Sequence, residues 1–118
     1  PIAGLSDAER VAAIDNVAHA IELYYRDHRA DPVVTSDIAQ NRWANLMGFL
    51  VQGGYLADPV VDPAGEARFD YRSDSLGRGF VLGAALSNSR DTHLAAGLHG
   101  APYGMNCDAP VYCKGFVK

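Results

Sequence analysis

The chain has 118 residues, which favours one domain, and a chain of that size buries roughly two-thirds of its unfolded surface, enough for one core. Hydrophobic residues at 48% and charged residues at 20% argue against disorder. Ten Lys and Arg against fourteen Asp and Glu leave a formal charge of −4, and the sequence carries no strong nucleic-acid signal and no polybasic membrane signal.

Ser6-Asp7-Ala8-Glu9 is a capping-box pattern, with acidic residues placed at the positive end of a helix dipole. Apolar residues follow at Val11, Ile14, Val17, Ala18, Ile21, Tyr24 and Tyr25. This spacing predicts a first helix over about 7–28, with Arg10, Asp15 and Glu22 on the polar side. Asp31-Pro32 is expected to stop it. Thr35, Ser36 and Asp37 are candidate N-caps for a second helix over about 38–52, with Trp43, Leu46, Met47, Leu50 and Val51 on its apolar face. Gly53-Gly54 is expected to end it.

Asp58-Pro59 and Asp62-Pro63 mark a turn-rich loop. The alternation from Ala67 to Ser73 predicts a half-buried strand. Phe80–Leu86 is apolar on both faces and predicts a more central strand. It is also the longest apolar run, far below the ~18–20 residues that cross a bilayer. Residues 87–118 form a glycine-rich loop region in which Pro110–Val117 can hold a last short strand. Helices followed by strands indicate an α+β fold: a long N-terminal helix packed on a small antiparallel sheet, in a single domain over 1–118.

Motifs for chemistry are sparse. His19 is expected at the surface, and His28 sits where a cation favours the helix end. Ser87, Ser89, Asp91 and His93 permit a Ser-His-Asp drawing, but no nucleophile elbow supports it. No phosphate loop, dinucleotide fingerprint or His-Glu-x-x-His is present. Asn88, Asp91, Asn106 and Asp108 offer oxygens for Ca²⁺ without EF-hand spacing, and ordinary loop capping by their side chains is the favoured reading. No other cofactor and no metal site is expected, and the protein is read as non-catalytic. Cys107 and Cys113 are expected to form one disulfide, with two reduced thiols as the alternative and a zinc site weaker than either.

Arg10–Tyr25, Trp43–Val51, Gly54-Tyr55-Leu56, Asp58-Pro59, Phe69-Asp70-Tyr71, Phe80–Leu86 and Tyr112-Cys113 stand in an order that resembles type IV pilins and the pseudopilins of type II secretion. Three features depart from the family pattern. The hydrophobic stretch at the family's N-terminus is missing, Asp31-Pro32 replaces Tyr-Pro, and Ser87 follows Leu86 where Glu is frequent.

The resemblance implies a soluble headpiece whose missing N-terminal helix would anchor it in the inner membrane before assembly. Its partners would be copies of itself and other pilins, in an extracellular or periplasmic filament. The headpiece would face outward from that filament. Pro1-Ile2-Ala3-Gly4 shows no signal peptide and no initiator Met, which fits a mature or trimmed product. The helix face expected to contact the filament is Val11, Ile14 and Val17, partly exposed, while Ile21 and Tyr25 bury against the sheet. The alternative role is a minor subunit acting as an adhesin or ligand-binding module at a filament tip.

Overall fold

The computed structural model describes residues 6–61 and 69–117. In chain order it contains helix α1 (Asp7–His28), helix α2 (Ala39–Gln52), strands β1 (Phe69–Ser73) and β2 (Phe80–Ala85), a short helix α3 (His93–Ala96), a 3-10 turn at Pro102–Gly104 and strand β3 (Val111–Phe116). The strands form one antiparallel sheet in the order β1-β2-β3. The architecture is α+β, as the segregation of elements predicts. Residues 62–68, with Asp62-Pro63 and the start of the first expected strand, lie outside the described residues.

The first helix begins as its capping box predicts. The Ser6 hydroxyl accepts the Glu9 N–H at 3.2 Å, and the Glu9 carboxylate accepts the Ser6 N–H at 3.0 Å. It ends before the proline has any influence: Arg29 turns into the left-handed region at φ 60 and donates its N–H to Tyr25 O at 2.7 Å. The second helix is capped by Ile38, not by Thr35, Ser36 or Asp37. Ser36 acts one step earlier, its hydroxyl accepting the Ile38 N–H at 3.2 Å. At the far end Gly54 (φ 80) follows the cap, with Gly54 N–H on Val51 O and Tyr55 N–H on Leu50 O. That is the left-handed glycine exit that the Gly-Gly pair predicts.

The helices cover one face of the sheet. Trp43 stacks on Phe69 at 5.0 Å, and Leu46, Leu50, Tyr71 and Leu82 are fully buried beside it. The other face carries a smaller core of Val81, Met105, Cys107 and Cys113, covered by the C-terminal loop. The middle strand is therefore buried on both sides, and its lack of alternation follows from that position. Cys107 and Cys113 are joined by the expected disulfide, with Cα atoms 5.6 Å apart.

The burial of α1 corrects the expectation for its apolar stripe at every position but Ile21, which is fully buried as expected. Val11, Ile14 and Val17 are 5%, 0% and 0% exposed, whereas Tyr25 is 42% exposed. The reason is where the sheet grips the helix. The Asp7 carboxylate accepts the N–H groups of Ser87 and Asn88, each at 2.8 Å. Tyr112 Oη and Lys114 Nζ both reach Asp15 Oδ1, at 3.0 and 3.2 Å. Polar anchors thus hold the N-terminal half on the sheet, and full burial continues only as far as Ile21, before the last two turns. Arg10, expected on the polar side, is buried, where it donates to Asp7 at 3.1 Å and to the Ser87 hydroxyl at 3.3 Å.

Two stability outcomes are expected. Leu46→Ala costs about 2–4 kcal/mol in denaturant unfolding, as for a fully packed leucine. Reducing the disulfide costs only ~2 kcal/mol, because the closed loop is short, and calorimetry with and without reductant measures it.

Candidate functional site

The loop region that could host a hydrolase gathers no catalytic set. His93 Nδ1 lies 2.7 Å from Asp91 Oδ1, but this exposed pair closes its own turn, since Asp91 also accepts the His93 N–H at 2.9 Å. Those bonds hold the Asp91 carboxyl below its ordinary range, the backbone bond most strongly. The Ser87 hydroxyl is used by Arg10, and among the described residues no serine hydroxyl bonds to His93. The four candidate Ca²⁺ residues do not share a site in their side-chain bonding. Asn88, Asp91 and Asn106 each accept an N–H two residues ahead, at 3.0, 2.9 and 3.0 Å. These are turn-closing bonds. Among the described residues no group of three or more His, Cys, Asp or Glu is placed to hold a metal.

A different feature stands out, and the sequence reading did not single it out. A groove of about 500 Å³ opens between Ala18, Glu22 and Tyr25 on one side and Lys114, Gly115 and Phe116 on the other. Phe80, Arg78 and Asp31 complete its lining. Phe116 is paired in register with Phe80 and so shares its face of the sheet, yet it is 60% exposed because no helix covers it there.

Asp31 is the unusual member. It is only 5% exposed, and its carboxylate has no hydrogen-bond or ion-pair partner among the described residues. Its backbone is fixed, with the Asp31 N–H donating to Gly77 O at 2.8 Å. Gly77 is required at this contact: it has φ +71, and a Cβ there would lie 2.9 Å from Asp31 O and from the Ala30 Cβ. Burial pushes the Asp31 carboxyl up from 3.8 to about 6, because an apolar surround disfavours the charged form.

The two basic residues of the lining are already engaged. Arg78 Nε meets Asp74 Oδ2 at 2.9 Å, and bonds from the Arg78 side chain and from the N–H groups of Arg78 and Leu76 take the Asp74 carboxyl down to about 2. Lys114 holds Asp15. Asp31 and Glu22 are the acidic members of a lining that otherwise includes Ala18, Tyr25, Phe80 and Phe116.

No family model, curated protein or solved structure matches the chain. No helix among the described residues is long and apolar enough to cross a membrane.

The Asp31 carboxyl makes a signed prediction. The folded state holds this proton more tightly than the unfolded chain does. Its contribution to stability is therefore full below about pH 4 and is lost as pH rises through about 6. Asp31→Asn should be more stable than the parent at pH 7.5, by up to about 3 kcal/mol given 1.36 kcal/mol per pKa unit. The gain should vanish near pH 3.5. Urea unfolding at both pH values checks it, and an equal gain at both would refute the burial of an ionised Asp31 at neutral pH.

Proposed function

We infer that the chain is a structural, non-catalytic headpiece of a pilin-like filament subunit. One observation carries this reading. A 22-residue N-terminal helix, about 33 Å long at 1.5 Å per residue, lies along a three-stranded antiparallel sheet whose other face is closed by a disulfide-tied C-terminal loop. That order of elements is the one that the sequence resemblance to type IV pilins and pseudopilins implies.

The burial of α1 moves the proposed assembly surface. Val11, Ile14 and Val17 are spent inside the headpiece and cannot also meet a neighbour. The outward face of the same helix carries Ala8, Ala12, Asn16 and His19, all exposed. In this reading, that face packs against adjacent copies in an open, head-to-tail array. An anchoring segment would join at a break, since Ser6 is an extended cap with ψ 166 and not a helical residue. A second reading, a ligand-binding subunit at a filament tip, is favoured by the groove beside Asp31.

The test separates folding from assembly. Ala12→Arg in the full-length protein should leave the melting temperature of the headpiece within about 2 °C, as expected at an exposed helix position, and should abolish filaments in electron micrographs. Val11→Glu should instead unfold the headpiece itself. Filaments from the Ala12→Arg protein would count against this assembly face. A full-length protein that never forms filaments under any condition would overturn the filament reading.

A further inference from the structure

The groove between α1 and the end of β3 combines three features that point to one ligand chemistry. Its walls include three aromatic rings, Tyr25, Phe80 and Phe116. Its lining includes Asp31, nine-tenths buried and without a partner among the described residues. Its cationic residues, Arg78 and Lys114, are neutralised by Asp74 and Asp15, so they do not supply the missing counter-charge.

A buried carboxylate is costly unless it is paired with a cation and hydrogen-bonded. Aromatic faces also attract cations, by their quadrupoles, when the charge sits within about 6 Å. A carboxylate and aromatic rings that line one open groove are complementary to an ammonium on an apolar stem. Metal ions fit poorly, because a hard cation needs several oxygen ligands and among the described residues no three metal-binding side chains come together. Anions are disfavoured by Asp31 and Glu22.

We propose that this groove binds a primary ammonium carried on an alkyl or aralkyl stem, with Asp31 taking the ammonium and Tyr25, Phe80 and Phe116 enclosing the stem. The inference rests on the groove alone and does not require that the chain assemble into a filament. The titratable groups that share the groove lining with Asp31 are Glu22 and Tyr25 from α1, Arg78 from the β1–β2 turn and Lys114 from β3, and Tyr71 of β1 senses the charge of Asp31 from within the core. His19 lies 3.9 Å from Glu22 on the outer surface.

The experiment is an amide-resolved NMR titration of the chain at pH 7.5 with 2-phenylethylammonium, and with 2-phenylethanol as its uncharged counterpart. The expected result is saturable shifts at Tyr25, Asp31, Gly115 and Phe116, with the alcohol at least tenfold weaker. Ionisation of Asp31 near pH 6 makes binding fall about tenfold at pH 5. Asp31→Asn, whose fold is verified by its melting curve, should bind at least tenfold more weakly and lose that pH dependence. Phe116→Ala, at an exposed position, should weaken binding several-fold with the fold intact. A parallel titration with Nα-acetyl-lysine-N-methylamide distinguishes the sources. If it binds as tightly as the free amine or more tightly, the ligand is a protein lysine side chain; if it binds more weakly, the ligand is a free amine. Equal binding of amine and alcohol, unchanged binding in Asp31→Asn, or shifts that do not saturate would each overturn the proposal.

Discussion

A single guanidinium–carboxylate fork sets where the second helix sits. Arg42, in the first turn of α2, donates Nε to Asp70 Oδ1 at 2.9 Å and an Nη to Asp70 Oδ2 at 2.8 Å, while its other Nη reaches Ser36 O at 2.9 Å. Asp70 lies in β1, so the fork fixes both the position of α2 along the strand and its rotation. Its two parallel bonds give orientation as well as attraction. The hydrogen bonds to Asp70 hold the Arg42 guanidinium charged despite its burial.

The remaining contacts of α2 follow from that placement. Trp43 comes to lie on Phe69, and its indole N–H donates to Val60 O at 2.7 Å. The loop after α2 is thereby pulled across the core edge. Leu46 and Leu50, one and two turns on, meet the sheet as a direct consequence of helical spacing. The fork is no guarantee of stability in itself, since desolvating two ions offsets most of their attraction. A slip of the helix along β1 would break both bonds of the fork and part the buried Arg42 guanidinium from its carboxylate.

The elements and the main core were legible in the sequence because they depend on local periodicity. The capping box at Ser6, the glycine exit at Gly54 and the two-sided apolar run of β2 are each written within a few residues. What escaped was every polar residue on an apolar surface. Arg10, Asp31 and Arg42 are buried, yet composition places them at the surface. Their burial depends on partners or neighbours such as Ser87, Gly77 and Asp70, which are far away in the chain. Tyr25 fails in the opposite sense. Periodicity puts it on the buried stripe, but no periodicity records where full burial of the helix ends. The groove was invisible for the same reason.

The tie between Asp7 and the backbone of Ser87 and Asn88 has a mechanical consequence. Those residues lie one residue beyond β2, after Leu86, and β2 is the strand hydrogen-bonded on both sides. A pull on the N-terminal end of α1 therefore enters the molecule at the end of its central strand, and not through a peripheral loop. The load is shared at once with β1 and β3 along two ladders, and the Leu86 N–H on Pro110 O extends the second ladder past the strand end. Tension at that end is carried as shear across the whole sheet, the direction in which many backbone bonds must yield together.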